Sequence, residues 1–277
     1  MNDIFLIAEI GINHNGDVEI AKKMISMAKR CGWDAVKFQK RNLDVCIPEH
    51  MWEKRKYTPW GEMSYYEYKK HLEFSEDDFN EIDKFCKHMD IQWFASAWDE
   101  DSQVFLDNYN LKYNKVASAM LTHIPLLKHI ARKGKKTFIS TGMSSWEDID
   151  NAINIFVEEK CPYVLMHCVG LYPCPNDRLN INMINKLRER YDCEVGYSGH
   201  SPGAIDAIVA SVLGAKYIEK HVTLDRTMWG SDHAASIEEH GMEYIRKHCD
   251  NVDIMLGNGK RILTKKEMDV ASKLRYW

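Results

Sequence analysis

The feature that most narrows the folds open to this chain is an alternation, repeated eight times, between short apolar runs and amphipathic stretches. Strand-like runs fall at residues 4–11, 34–40, 91–97, 113–119, 136–141, 163–169, 194–200 and 217–223. Helical periodicity occupies 18–31, 77–89, 100–109, 125–133, 146–159, 183–191, 204–213 and 238–256. Ser75 ahead of Glu76, Asp77 and Asp78 supplies a helix cap with acids in the first turn, and Ser145 with Asp148 has capping-box spacing. Strict strand–helix alternation implies a parallel sheet, because a parallel partner is reached only through a long crossover. Eight such units predict an α/β fold of the closed (β/α)8 TIM-barrel type rather than an open doubly wound sheet. No Pro/Gly/Ser-rich linker divides the chain, so a single domain over 1–277 is expected, with a basic, helix-like tail at 256–277. The connection 41–75 is aromatic and charged and too long for a plain loop, which predicts a lid or flap over the barrel mouth.

Bulk properties remove several functions. A net charge of −4 offers no electrostatic case for nucleic acid or an anionic membrane. No apolar run approaches the roughly 18 residues of a membrane-spanning helix. The segment Met1-Asn-Asp-Ile-Phe-Leu-Ile lacks the basic start of a secretory leader. Eight cysteines occur without a C-x-x-C pair, several inside apolar segments, which reads as reduced, buried thiol in a cytoplasmic protein.

The carboxyl-terminal ends of the predicted strands carry charge where a barrel interior is normally apolar. Glu9, Lys37, Gln39, Lys115, Ser140, Ser198, His200, Glu219 and His221 all fall there, and Lys37/Gln39, Ser198/His200 and Glu219/His221 share strand parity. Burying such groups is costly unless they pair or bind something. Simple neutralisation of Glu9 and Glu219 by the two lysines is one reading. An anion site beside a metal is the other, and it uses every group. His200 and His221 stand at the same end of successive strands, which suits a divalent cation. Lys37 and Lys115 with the hydroxyls of Ser96, Ser118, Ser140 and Ser198 suit a small, highly charged anion. Neither G-x-x-x-x-G-K-[ST] nor a strand-following G-x-G-x-x-G occurs, so nucleotide binding has little support.

Together these segments resemble the sialic acid synthase family, the catalytic barrel of enzymes that condense phosphoenolpyruvate with an amino-sugar aldehyde. The resemblance is carried by Ala8-Glu-Ile-Gly-Ile-Asn-His14-Asn-Gly, Val36-Lys-Phe-Gln39, Lys115-Val-Ala-Ser118, Ile139-Ser-Thr-Gly-Met143, His167-Cys168 with Tyr172-Pro173, Tyr197-Ser-Gly-His200, Glu219-Lys-His221-Val-Thr and Gly230-Ser-Asp-His233. It implies that His200 and His221 hold manganese or magnesium. It implies that Lys37, Ser96, Lys115, Ser118, Ser140 and Ser198 hold the phosphate and carboxylate of phosphoenolpyruvate. Glu9, Gln39, Tyr172 and Asp232 match positions on the sugar side, and Glu219 orders the second histidine or its water. The implied reaction yields a 2-keto-3-deoxy, nonulosonic acid and phosphate, with Glu9, Glu219, Lys37 and Lys115 as the catalytic groups.

Three departures touch the acceptor. Met120 follows Ala119 where the family commonly has an acid, and Gly170 stands where Asn or Ser is common. The chain also runs to Trp277, where members commonly continue into an antifreeze-like domain that reaches across a homodimer. A separate antifreeze-like protein docking on the basic tail is therefore an expected partner. Two rival functions share the residues: a 3-deoxy-aldulosonate synthase using a shorter aldose or aldose phosphate, and a non-catalytic barrel binding an acidic metabolite or partner. The first would need a basic pocket for the acceptor phosphate, and no Arg cluster stands at the strand ends.

Overall fold

In the computed structural model, which describes residues 4–277, β1 (Phe5–Gly11) and β2 (Ala35–Lys40) are followed by a hairpin, β3 (Arg55–Thr58) and β4 (Gly61–Ser64). The chain then forms β5 (Gln92–Ala97), β6 (Tyr113–Val116), β7 (Lys136–Ser140), β8 (Tyr163–Cys168), β9 (Val195–Gly199) and β10 (Tyr217–His221). Apart from the hairpin, these strands close into a parallel barrel ordered β1-β10-β9-β8-β7-β6-β5-β2. The leader-peptide reading at residues 1–3 lies outside the described residues.

Helices fill the crossovers where the 3.6-residue period placed them. They are α1 (Val18–Arg30), α5 (Glu76–His88), α6 (Glu100–Asp107), α7 (Ile124–Arg132), α8 (Trp146–Glu158), α9 (Met183–Tyr191), α10 (Ile205–Val212) and α11 (Glu239–Leu256). Short helices α2 (Leu43–Cys46), α3 (Glu49–Trp52) and α4 (Tyr65–Leu72) flank the hairpin, and α12 (Lys265–Leu274) ends the chain. Both predicted caps form, and each is a capping box: the Ser75 and Ser145 hydroxyls accept from the Asp78 and Asp148 amides, and each aspartate accepts from its serine's backbone N–H. None of the helices among the described residues is long and apolar enough to cross a membrane.

The barrel interior is built in layers. Phe5, Phe94, Tyr113, Phe138 and Tyr217 meet near the amino-terminal ends of their strands, with Phe94 and Phe138 ring centres 5.6 Å apart and Phe138 and Tyr217 5.1 Å apart. A strand returns to the same face every second residue. Phe94 is therefore followed by Ser96, Tyr113 by Lys115, Phe138 by Ser140 and Tyr217 by Glu219. The register sets Glu9 abreast of Lys37 on one side and His221 on the other. An aromatic floor thus carries a polar layer, and the sequence period alone produces the stack.

One strand is shorter than its apolar run suggests. β6 stops at Val116, and Ser118 sits on a single 3-10 turn, Ser118–Met120. The predicted flap is a folded subdomain: His14, in the turn after β1, stacks on Phe74 at 3.7 Å, and Trp60 and Tyr68 pack on Trp229 at 5.4 and 5.3 Å. Gly16 makes the first contact possible, since a Cβ there would lie 2.0 Å from the His71 carbonyl oxygen and its φ is +78°.

Candidate active site

A cavity of about 120 Å³ opens on the polar layer at the carboxyl-terminal end of the barrel. Lys37 on β2 bridges the Glu9 carboxylate at 2.7 Å, the Ser96 hydroxyl at 3.1 Å and Glu219 at 3.5 Å. Lys115 on β6 donates to Ser140 Oγ at 2.7 Å and to Glu219 Oε2 at 3.0 Å. Ser198 donates to the other Glu219 oxygen at 3.2 Å. Both lysines are at least 97% buried, with 3% and 2% exposure. The neutralising pairs and the clustered hydroxyls are therefore present together.

The two carboxylates are not equivalent. Burial pushes Glu219 up, but Lys115 and then Lys37 outweigh it and hold the group at about 2. Burial raises Glu9, with Lys37 opposing and Glu219 adding to the rise. Burial lowers Lys115, whereas at Lys37 the two acids outweigh burial and raise it. Two carboxyl groups driven apart in this way suit different proton-transfer roles.

Opposite the lysines stand His200 and His221, their ring centres 5.5 Å apart. His200 Nδ1 lies 2.7 Å from the Val169 carbonyl, which can only accept, so Nδ1 carries a proton; burial lowers the pKa of the ring, but the neighbouring Cys168 thiol and the Val169 carbonyl outweigh it and raise it. The Tyr172 hydroxyl lies 2.7 Å from Nε2, and its ring stacks on the imidazole at 3.8 Å. Burial drives His221 down to about 3, keeping it neutral, and its Nδ1 has no hydrogen-bond partner. Asp232 lies 3.9 Å from that nitrogen. Two imidazoles, one of them held neutral with a buried nitrogen that has no partner, and a nearby carboxylate make a donor set that fits a divalent cation. Among the described residues, the group of three potential ligand atoms within 4.8 Å of one another is a different one, Cys31 with Glu239 and Glu243, and its Glu239 is already paired with Arg30 at 2.7 Å.

The sequence-predicted residues Glu9, Lys37, Gln39, Ser96, Lys115, Ser118, Ser140, Tyr172, Ser198, His200, Glu219 and His221 all line this one cavity. Asp232 approaches it from the loop after β10. Ser118, beyond the end of β6, accepts from the Gly142 amide at 3.1 Å. Gln39 donates to Glu9 at 2.9 Å and accepts from Arg41 at 2.6 Å. Cys168, read with the structural thiols, also lines the cavity, 3.9 Å from both His200 nitrogens. Its parity with Met166 and its place two residues before Gly170 were the signals available. Met143 is the other residue missed. A Cβ at Gly170 would come within 2.6 Å of Met143 Cγ, so the glycine makes room for the methionine in the cavity wall.

Buried lysines paired with carboxylates over an aromatic floor, beside two imidazoles in the same cavity, belong to an enzyme that handles a small anionic metabolite. Residues 24–261 match the NeuB family, and the chain belongs to that family. It is similar to human N-acetylneuraminate-9-phosphate synthase, at 37% identity over 98% of this chain and 76% of the relative. N,N'-diacetyllegionaminic acid synthase of Legionella pneumophila is 32% identical over 98% of this chain and 78% of its own length. Among solved structures, the N-acetylneuraminic acid synthetase of Leptospira borgpetersenii superposes with a TM-score of 0.85 at 30% identity, covering 99% of this chain and 93% of that one. With its family, the protein is a synthase that condenses phosphoenolpyruvate with a sugar.

Proposed function

We propose that the sugar substrate is an amino-sugar or related aldehyde and that the product is a 2-keto-3-deoxy nonulosonic acid. The observation that carries this reading is the pair of buried lysines, each bridging an acid and a serine hydroxyl, across the cavity from His200 and His221. Lys37, Lys115, Ser96, Ser118, Ser140 and Ser198 bind the phosphate and carboxylate of phosphoenolpyruvate in place of the internal acids. Gln39, Tyr172 and Asp232 orient the acceptor. His200 and His221 hold a divalent cation, Mn2+ or Mg2+, with Asp232 nearby; when bound it supplies electrophilic activation of the aldehyde oxygen.

The enol carbon of phosphoenolpyruvate attacks the aldehyde carbon, and water adds at the carbon bearing phosphate. Glu9, the more basic carboxylate, takes the proton of that water, the alkoxide left by the aldehyde oxygen takes up a proton in turn, and Glu219, displaced from the lysines, stays ionised. The tetrahedral intermediate then loses phosphate through C–O cleavage, and the two lysines offset the charge on the departing group without reorganising.

A cytoplasmic setting fits the eight cysteines, all of them free. We also assign the whole of 1–277 to one barrel domain that works as a homodimer. The exposed apolar residues of the tail, Ile262, Leu263, Val270 and Leu274 among them, support an antifreeze-like protein as a docking partner there. The deciding experiment is phosphate release from phosphoenolpyruvate with manganese over N-acetylated hexosamines, deoxy-diamino sugars and aldose phosphates, with Mn2+ binding followed by electron paramagnetic resonance. His200→Ala and His221→Ala are expected to abolish both signals. Tight Mn2+ retention with unchanged turnover would overturn the histidine assignment.

A further inference from the structure

Behind His200 and His221, between β9, β10 and α10, lies a buried polar cluster that the chemistry above does not use. Glu219 and His221 face the cavity, so Lys220 between them points the other way, into the layer where helices pack on the barrel. It is fully buried there. Its ammonium pairs with Asp206, in the first turn of α10, at 3.0 Å. It also donates to the Ser201 carbonyl at 2.8 Å and lies 3.2 Å from the Ser201 hydroxyl. All three of its N–H donors thereby have acceptors. Tyr197, on the outward side of β9, donates its hydroxyl to the same Asp206 carboxylate at 2.8 Å. Gly199, abreast of Lys220 in the register, leaves room for this: a Cβ there would fall 2.6 Å from Asp206 Oδ2 and 2.5 Å from the Tyr197 ring. Ser201, Asp206 and Tyr197 are buried as well.

A buried ion pair gives little stability over apolar residues of the same volume. The placement of this one gives something else. Lys220 stands one residue before His221, and Ser201 one residue after His200, so a single ammonium ties the main chain beside one histidine to the main chain beside the other. Its bond to the Ser201 carbonyl is charge-assisted, about twice as strong as a neutral one. The carbonyl of His200 itself accepts from the Cys174 amide at 3.0 Å, so the chain is held on both sides of that residue. We infer that Lys220, with Asp206 and Tyr197, is a positioning residue for the metal site, fixing the loop after β9 against β10 and with it the relation of the His200 ring to the His221 ring. This rests on the assignment of the two histidines as ligands and adds what sets their geometry. Two imidazoles sharing one cation have to be held to within about 0.5 Å. Lys220, Asp206 and Tyr197 stand outside the cavity lining, so they act through the backbone alone.

Lys220→Met alone leaves a buried carboxylate without its partner and is expected to destabilise the fold. The deciding variant is therefore Lys220→Met/Asp206→Asn, which removes both charges together and is expected to keep the parent's circular dichroism spectrum. Mn2+ alone is titrated into the parent, this double variant and His200→Ala, with free Mn2+ read by electron paramagnetic resonance. Phosphoenolpyruvate is titrated without metal by calorimetry. The double variant is expected to bind Mn2+ about 10–100-fold more weakly than the parent, the loss that follows removal of a group supporting a metal ligand. Its affinity for phosphoenolpyruvate is expected to be unchanged, because Lys37 and Lys115 stand on other strands. Mn2+ affinity equal to the parent's would overturn the positioning role. A parallel loss of phosphoenolpyruvate affinity would overturn it too, by showing a general distortion of the barrel. Failure of the double variant to fold would make the cluster a folding element and remove the inference. Mn2+ binding that survives intact in His200→Ala marks a different failure, that of the ligand assignment, and the inference falls with it.

Discussion

At the scale of single residues, the barrel mouth separates chemically similar groups by their surroundings. Glu9 and Glu219 are both buried, yet Glu219 faces two ammonium groups and Glu9 faces chiefly one. Removing Lys115, as Lys115→Met, is expected to lower kcat for phosphate release by at least about 100-fold, the size seen when a transition-state donor is lost; a change below about threefold in steady-state turnover would remove it from the catalytic set. His14 behaves differently. Burial lowers its pKa from 6.5 to about 3, and its Nδ1 accepts from the Gly16 amide at 3.1 Å, so the folded protein holds it neutral. Between those values the unfolded chain binds the extra proton. Stability is therefore full above pH 6.5 and declines as pH falls toward 3, by at most about 1.4 kcal/mol per unit. Urea midpoints at pH 7.5 and 4.5 are expected to differ more for the parent protein than for His14→Asn, and equal differences would refute the assignment. The inward residues were legible because strand parity and charge mark them. Cys168 shares that parity at the end of β8 but has no charge to mark it, while Arg41 and Met143 lie in loops, and their place depends on how loops from different strands meet.

At the scale of elements, the eight strand–helix units follow from periodicity with boundary shifts of a few residues. β6 differs most, because the Ser118 hydroxyl accepts from the Gly142 amide, a contact between consecutive loops that the local pattern cannot encode. The flap was legible as too long and too aromatic for a loop, but its internal hairpin was not. β3 and β4 are four residues each, β3 alternating only between exposed and half-buried and β4 largely exposed, so neither has the apolar face that would mark a strand in the sequence. The flap is fixed to the barrel where Gly16 meets the His71 carbonyl. Gly16→Ala must move one or the other, and its positive φ adds about 1 kcal/mol of strain for any other residue. We expect faster limited proteolysis within residues 41–75 and a raised KM for the acceptor, with the phosphoenolpyruvate affinity retained. A variant as protease-resistant as the parent would show that the contact does not hold the flap.

At the scale of the whole molecule, stability and chemistry occupy different layers of one barrel. Phe138 is fully buried in the aromatic floor, and Phe138→Ala is expected to cost about 3–5 kcal/mol by chemical denaturation. By contrast, α12 buries none of its residues. Deleting residues 258–277 is expected to leave the unfolding free energy within about 0.5 kcal/mol, as for surface changes; a larger loss would mean the tail packs on the barrel in solution. The lysine–carboxylate pairs of the polar layer carry a further consequence for how the donor loads. Because Glu9 and Glu219 already sit on Lys37 and Lys115, phosphoenolpyruvate bound as proposed would enter by ion exchange against two tethered competitors, not by filling a bare positive hole. Stray chloride or free phosphate faces that same competition without the donor's second charged group. On that proposal the protein's own acids would act as a selectivity filter that rewards a ligand able to engage both lysines at once.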